Sequence, residues 1–398
     1  KRALPCAKKI VPPFQYPKDH PEGAEKLPDN KLRLEFVHGY RSHDARHNLH
    51  YDKKGLLVYH AAALGIVLNA KTRKQTFFDA HSDDVTCIAK HPGGDFFATG
   101  QVGDFPAIHV WRSSDAKKVC TIRSTELHKN AILCAAFSKC GKYLASVGAD
   151  EAHLVAVHEW GPPGWDPLKG EATPKLIATE KFGRARPYVC AFNPVDGRLV
   201  VGGKKSLKFF TIDDGTLRVA PAQYSHGASK GFAACSVLSI AFLPDGSTFA
   251  GTMKGDAYKY EEGGCRAVRK FAAIHHGPIH DMAFTGKVLA TAGKDGKIKL
   301  WSVFMQPVFE VDTAKVAEGL LDAHAQPRSY AAGKAPSIRA LAPSADGRKL
   351  AYGTAASEIF EIDITDEKAA QDKTKAKLLM NGHAGAIDPK TGADRGDV

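Results

Sequence analysis

The sequence predicts an all-β protein, a seven-bladed β-propeller whose four-stranded sheets close into a ring. Each repeat has an apolar strand, a turn such as Pro244–Gly246, a second strand ending in small residues such as Thr291–Gly293, and a third strand. The ends of the third strands recur every 40–60 residues, roughly the repeat length of propeller blades, at Leu68, Trp111, Trp160, Phe210, Tyr260, Trp301 and Ile362. The seven marks predict seven such sheets. They are expected to form a closed ring, because a single sheet cannot bury both of its faces, whereas seven sheets packed in a ring can.

Composition narrows the class of protein and of partner. The chain has 398 residues, 43% of them hydrophobic and 25% charged, which is enough to bury a core and excludes global disorder. It has no apolar run of about 18 residues, so no membrane span is expected. The formal charge of +12 favours an acidic partner, which leaves nucleic acid, anionic lipid and acidic protein open. Eight scattered cysteines without a C-x-x-C pair favour a reducing cytosolic compartment.

One third strand carries a family resemblance. The run Asp295–Trp301 resembles a WD repeat closely, and His275 lies at the place where that family has a conserved histidine. In WD repeats such a histidine and the turn aspartate form a buried hydrogen-bonded pair. The resemblance therefore implies structural pairs of His275 with Asp295 and of His128 with Asp150, rather than catalytic bases.

A second resemblance precedes the repeats. Residues 34–49 are similar to the HELP motif of the echinoderm microtubule-associated protein-like family, whose fold is a pair of propellers. The resemblance implies that four apolar residues pack between the propellers, namely Leu34, Phe36, Tyr40 and Leu49. Alternation of Leu32, Leu34 and Phe36 with charged residues also predicts a strand at the start of this segment.

Four parts of the chain are expected. Residues 1–30 are basic and rich in proline and read as an extended arm, residues 31–55 as the HELP motif, and residues 56–380 as the seven-bladed propeller. Residues 381–398 read as a linker or the start of a second propeller. Because the first residue is Lys1 rather than Met, the numbering is expected to be a piece of a longer protein.

Motifs for catalysis, cofactors and metals have simpler readings. His43, Asp44, His47 and His50 are close enough in sequence to suggest a metal site. The surrounding pattern is not helical, however, and the HELP resemblance supplies a structural role for the first two. The glycine-rich run at 197–204 has no helix after it to face a phosphate. The sequence therefore predicts a protein that is not an enzyme and uses no cofactor or metal.

Basic residues in predicted rim loops are the remaining candidates for contact with a partner. They are Arg184 and Arg186 before blade four and Lys204 and Lys205 within it, and Trp165 in a loop rich in proline and glycine is a further candidate. Clustered lysines would focus a positive potential. By resemblance, the partner is tubulin in cytoplasmic microtubules, together with other microtubule-associated proteins, and a ciliary doublet microtubule of the axoneme is a further hypothesis. The alternatives are an adaptor for a ubiquitin ligase or signalling complex, or an RNA-binding propeller, although aromatic and basic residues do not interleave as in RNA-binding modules.

Overall fold

A computed structural model describes residues 33–123, 127–161, 171–224, 233–318, 320 and 336–380. The chain divides into two compact units, residues 1–36 and residues 37–398. Of the first unit only residues 33–36 are described, and they contain no helix or strand. The expected arm at 1–30, the segment 381–398 and Trp165 lie outside the described residues.

The first four blades of the second unit are antiparallel sheets of four strands each. Blade one comprises β1 (Leu49–Tyr51), β2 (Leu57–Ala61), β3 (Leu64–Asn69) and β4 (Lys74–Phe78). Blade two comprises β5 (Val85–Lys90), β6 (Phe96–Gln101), β7 (Ala107–Arg112) and β8 (Lys118–Arg123). Blade three comprises β9 (Ile132–Phe137), β10 (Tyr143–Gly148), β11 (Leu154–Glu159) and β12 (Lys175–Lys181). Blade four comprises β13 (Pro187–Phe192), β14 (Leu199–Gly203), β15 (Ser206–Asp213) and β16 (Thr216–Pro221).

Three further blades and two short helices complete the described residues. Blade five comprises β17 (Val237–Phe242), β18 (Thr248–Thr252), β19 (Ala257–Tyr260) and β20 (Ala267–Phe271). Blade six comprises β21 (Ile279–Phe284), β22 (Leu289–Gly293), β23 (Lys297–Trp301) and β24 (Pro307–Asp312), and α1 (Thr313–Ala317) follows it. Blade seven comprises β25 (Ile338–Pro343), β26 (Lys349–Thr354), β27 (Ile359–Asp363) and β28 (Lys377–Met380), with α2 (Glu367–Gln371) before its last strand. Among the described residues no helix has the length and apolarity needed to cross a bilayer.

The seven-bladed propeller predicted from the repeats is confirmed. Within each sheet the strands pair in sequence order, and the first strand lines a central channel of about 530 Å³. The first strands of blades two to seven contact one another in succession, β1 contacts β25, and β2 contacts β5, so the ring closes. We call the end at which each innermost strand begins the upper face, and the end at which it finishes the lower face. The loops between blades and the turns between second and third strands lie on the upper face, because the strands alternate in direction.

The turns explain why the repeats contain Asp and Gly. In blade five the backbone of Gly246 has φ +76°, which a residue without a Cβ adopts at little cost. The Asp245 carboxylate accepts a hydrogen bond from the Ser247 backbone N–H at 2.9 Å, which fixes the turn. The same glycine geometry recurs at Gly197 and Gly347 in blades four and seven.

A β-bulge marks the upper end of the innermost strand in blades two to seven. In β5, for example, Val85 and Cys87 lie opposite consecutive residues of β6, so the residue between them is extra. A bulge re-aims the extra side chain away from the regular ladder. The six bulged residues therefore share one level at the mouth of the channel, and they are Thr86, Leu133, Tyr188, Leu238, His280 and Arg339.

Blade three departs from the register that the third-strand marks predict. Trp301 lies opposite Leu289 in blade six, whereas the residue opposite Leu144 in blade three is His158, two positions before the marked Trp160. The mark is shifted because the turn between β10 and β11 has two more residues than the turn between β22 and β23. Trp160 lies beyond β11 and donates its indole N–H to Gly141 O at 2.6 Å.

The prediction of a strand at the start of the HELP-like segment is wrong for the described residues. Residues 33–48 have no regular secondary structure, and the first strand is β1. A strand requires a neighbouring backbone, but Val37 pairs with a side chain instead. Its N–H donates to Gln75 Oε1 at 2.7 Å, and its carbonyl accepts from Gln75 Nε2 at 3.1 Å.

Candidate functional site

Blade six contains a buried chain of polar side chains. His275 Nδ1 lies 3.0 Å from Asp295 Oδ1, and its Nε2 lies 2.8 Å from the hydroxyl of Thr291, which also accepts the indole N–H of Trp301 at 3.0 Å. Burial acts to raise the pKa of Asp295, but the hydrogen bond and charge of His275 outweigh it and hold that pKa below its usual value. A Cβ on Gly293 would come within 2.6 Å of His275 Nδ1, which explains the small residue ending this second strand.

Blades two and three contain variants of the same hydrogen-bonded set of buried side chains. His128 Nε2 lies 2.8 Å from the Ser146 hydroxyl, while its Nδ1 lies 3.9 Å from the Asp150 carboxylate. In blade two, His81 contacts the side chains of Thr99 and Gln101 at 2.6 and 2.8 Å. The histidines and their partners lie within single sheets, where they link second strands to the upper loops. This geometry fits a structural role.

The HELP-like residues from 37 onward pack into the ring. Tyr40 is 3% exposed, and its ring meets Tyr59 edge-on at 6.1 Å between centroids. Its hydroxyl donates to Asn48 Oδ1, and a Cβ on Gly353 of blade seven would collide with its ring. Leu49 is fully buried in β1. In the first unit, Phe36 is half-buried and Leu34 is 49% exposed, so the four residues expected to pack together differ widely in burial.

Residues 41–48, which we call the HELP strap, cross the channel mouth. At the seam between blades seven and one, the Ser42 hydroxyl donates to Ala355 O at 3.2 Å. Arg41 forms an ion pair of 2.9 Å with Asp84 before blade two. On the far side, the Arg46 guanidinium lies 5.8 Å from the ring of Tyr188, within the range of a cation–π contact. The strap therefore touches blades on opposite sides of the ring.

His47 fixes the centre of the strap. Its Nδ1 lies 2.6 Å from Asp281 Oδ1, and its Nε2 lies 2.8 Å from Leu238 O. The second carboxylate oxygen of Asp281 accepts the backbone N–H of Leu341 at 2.7 Å, so one aspartate joins the strap to blades six and seven. Burial lowers the pKa of His47, but the charge and hydrogen bond of Asp281 raise it more, and the net pKa is raised. His47 and Asp44, considered above as metal ligands, are engaged with Asp281 and Arg41.

Four basic residues predicted as contact sites lie on the upper face and belong to a longer array. The loop before β13 carries Arg184 and Arg186, and the Arg186 carbonyl accepts the backbone N–H of Lys204 at 2.8 Å. The next residue, Lys205, donates its N–H to Ser236 Oγ at 3.3 Å. The Ser236 carbonyl in turn accepts the backbone N–H of Met253 at 2.9 Å. Lys254 follows Met253, and Lys294 lies in the corresponding upper turn of blade six. We call the six exposed cations the basic arc, and they are Arg184, Arg186, Lys204, Lys205, Lys254 and Lys294.

Ion pairing separates the basic arc from other lysines of the same blades. The first five cations of the arc form no ion pair with a carboxylate in the part of the chain that the structure describes. By contrast, Lys297 and Lys299 reach Glu310 of the neighbouring strand at 2.6 and 3.6 Å. Five of the six charges of the arc are therefore not neutralised by a described carboxylate, unlike those of Lys297 and Lys299.

Opposite charge gathers on the other side of the same face. In the upper loops of blades two and three, four exposed carboxylates form no ion pair with a described cation, unlike the exposed Asp84, and the exposed cations Arg123 and Lys129 lie in the same loops. We call the four carboxylates the acidic sector, and they are Asp79, Asp83, Asp104 and Glu151. The two regions meet where Gly183 N–H donates to Ala152 O at 2.9 Å. Sequence reasoning missed the acidic sector, as well as Lys254, Arg46 and Asp281. Alignment of the upper turns would have found Lys254, which follows the small-residue end of β18 much as Lys204 and Lys294 follow β14 and β22.

The prediction that Trp165 contacts a partner is not tested by the structure. Trp165 itself lies outside the described residues. The strand ends on either side of it, Glu159 of β11 and Lys175 of β12, lie at the lower face, opposite the basic arc.

Comparison with known proteins agrees with this architecture. A family model described as "Echinoderm microtubule-associated protein first beta-propeller" matches residues 74–362, and a HELP motif model matches residues 27–66. A computationally designed protein, Ika8, shares the fold with a TM-score of 0.53 at 20% identity, covering 87% of this chain and 90% of its own.

Curated relatives point the same way. Echinoderm microtubule-associated protein-like 2 of Rattus norvegicus is 27% identical over 74% of this chain and 46% of its own length. The 77 kDa echinoderm microtubule-associated protein of Strongylocentrotus purpuratus is 28% identical over 70% of this chain and 40% of its own. The chain thus spans less than half the length of these relatives. With the HELP strap docked on seven blades, it belongs to the echinoderm microtubule-associated protein family, in the part described as the first β-propeller.

Proposed function

We propose that this propeller is a non-catalytic, microtubule-associated scaffold that binds the acidic surface of tubulin through its basic arc. The observation that carries the proposal is the arc itself, six exposed cations in adjoining loops, five of them without an ion pair to a described carboxylate. Tubulin is strongly acidic, and the relatives are named for association with microtubules.

A rigid ring suits such a partner for a physical reason. The upper loops are fixed to one another by backbone hydrogen bonds such as Lys204 N–H to Arg186 O, so little backbone freedom is lost when the cations meet a negative surface. A microtubule repeats its surface, and weak contacts made at several places add through effective concentration. The protein would then act at cytoplasmic microtubules beside other associated proteins, and the ciliary doublet stays a hypothesis for imaging to decide.

Co-pelleting with polymerised tubulin tests this function. We expect the protein to pellet with native microtubules and to bind several-fold more weakly after the acidic tubulin tails are removed, because those tails carry much of the negative charge. Pelleting with neither polymer, together with capture of RNA at physiological salt, would contradict the proposal and favour a nucleic-acid partner. A mock-treated microtubule sample controls for damage during removal of the tails.

A further inference from the structure

The central channel is a cavity of about 530 Å³ between the HELP strap and the lower face. That volume lies within the range of pockets that bind small molecules. His47 of the strap lines its upper end, and the last residues of the innermost strands line its lower end. The penultimate residue of six innermost strands is alanine, whose short side chain leaves room in the lower half. These residues are Ala89, Ala136, Ala191, Ala241, Ala283 and Ala342.

One side of the lower channel is an apolar wall. In blades three to six the innermost strand ends in phenylalanine, and all four rings line the cavity. Phe137 and Phe192 are buried, whereas Phe242 and Phe284 are half-buried and still have surface that a ligand can cover. Met282 extends this wall upward. Removing such apolar surface from water favours the binding of an apolar group.

Lys90 departs from this pattern on the opposite side of the channel. It ends the innermost strand of blade two, at the position where blades three to six have phenylalanine, and it lines the cavity. It is half-buried, and its ammonium forms no ion pair in the part of the chain that the structure describes. The fold does not need a cation at this position, because four other blades have an apolar side chain there. Such a departure from the local rule marks a candidate functional residue.

The carboxylates near the channel are already engaged. Burial lowers the pKa of Lys90, and the charge of Asp52 opposes this shift without outweighing it. The Asp52 carboxylate accepts two backbone N–H groups at 2.8 Å and the Ser113 hydroxyl at 3.0 Å. At the upper end of the channel, Asp281 is paired with His47. An anionic ligand would therefore gain at Lys90 an ion pair that the described chain does not supply, and partial burial strengthens such a pair.

We propose that the channel binds a small carboxylate with an apolar body, such as a medium-chain fatty acid, which enters from the lower face. Its carboxylate forms an ion pair with Lys90, and its hydrocarbon chain crosses the channel and packs against Phe242 and Phe284. The basic arc lies on the upper face, so this inference goes beyond the proposed binding to tubulin and does not depend on it.

Methyl NMR of the full chain tests where the ligand binds. The chain has four methionines, of which Met282 lines the channel and Met253 is exposed on the upper face. We expect decanoate, kept below its micelle concentration, to shift the Met282 methyl saturably and to leave the Met253 methyl unchanged. Decanol, which has the same chain length and no charge, should bind about tenfold more weakly. No shift of the Met282 methyl, or equal affinity for decanoate and decanol, overturns the proposal.

A pair of lysine variants tests the role of Lys90. Lys90→Met removes the charge but keeps an unbranched apolar side chain, and we expect it to weaken decanoate binding about tenfold while decanol binds as before. Lys71→Met, at an exposed lysine in the lower turn between β3 and β4, should leave both affinities unchanged. Equal decanoate affinity in the two variants would contradict the assignment.

A third variant tests whether the channel itself is occupied. Ala283→Leu places a larger side chain in the cavity, so we expect it to weaken the binding of decanoate and of decanol alike. Undiminished binding of decanoate by this variant would place the ligand elsewhere and overturn the proposal.

Discussion

The two halves of the upper face share one backbone plan and carry opposite charge. Blades four to six place lysines and arginines in their upper loops, while the described upper loops of blades two and three carry more carboxylates than cations. Both sets are exposed, so neither sign is needed to close the blades. The paired strands and the buried histidines belong to the fold, whereas the exposed turns differ in charge from blade to blade. The charge of this face therefore differs between blades without a change in their fold.

The HELP strap spans these halves. Arg41 reaches Asp84 on the acidic side at 2.9 Å, and Arg46 lies over Tyr188 on the basic side at 5.8 Å. His47 and Asp281 hold its middle at 2.6 Å. The strap therefore links blades on both sides of the channel mouth, in addition to the packing of each blade against the next.

The largest effect is expected when that pair is broken. Asp281→Asn leaves a half-buried cationic histidine without its partner and should lower the free energy of unfolding by about 3 kcal/mol, measured by urea denaturation. Asp84→Asn is the matched control, because it removes the ion pair between Arg41 of the strap and the loop before blade two, whose carboxylate is 51% exposed. That change should cost about 1 kcal/mol or less. Equal losses in the two variants would show that the strap is not held at its centre.

The same pair predicts a pH dependence of stability. The pKa of His47 is raised in the folded state, so its contribution is complete below the ordinary histidine value of about 6.5 and is lost as the pH rises through the raised folded value. Relative to Asp281→Asn, the parent protein should lose stability between neutral and mildly alkaline pH. Denaturation curves that stay parallel across this range would contradict the assignment.

Salt distinguishes a charged contact from an apolar one. If the basic arc binds microtubules, raising the salt concentration from 50 to 200 mM should weaken binding by about tenfold, because exposed charges are screened over roughly 10 Å or less. Co-pelleting at several salt concentrations measures the slope. Binding that does not change with salt concentration would contradict a charged contact. It would favour a contact through exposed apolar residues of the lower face, of which Phe304 is 78% exposed.

The smallest effect is expected on the acidic side. Replacing Asp83, Asp104 and Glu151 with lysine should strengthen microtubule binding by about threefold, because these carboxylates repel an acidic lattice near the arc. Glu262→Lys, in an exposed lower turn, should change binding little. Weaker binding after the triple change would mean that the acidic sector itself contacts the partner.

Sequence patterns predict the strands and blades of this protein better than they predict the charge and contacts of its surface. Trp111 and Trp301 mark their third strands correctly because their indoles belong to the repeated polar chain, whereas Trp160 misleads because an upper turn gained two residues. Lys204 and Lys297 look alike in sequence, yet only the paired strand shows that Glu310 neutralises Lys297. The role of His47 depends on Asp281, more than two hundred residues away, which local patterns cannot show.

The most direct measurement compares two triple charge reversals in a microtubule co-pelleting assay. One replaces Arg186, Lys204 and Lys205 with glutamate in the basic arc, and the other makes the same change at Lys54, Lys139 and Lys287, which are exposed in lower turns. Both alter net charge equally. We expect the first to weaken binding at least tenfold, by roughly 1.4 kcal/mol or more, and the second to bind nearly as the parent does. Equal losses in the two, or no loss in the first, would contradict binding through the arc.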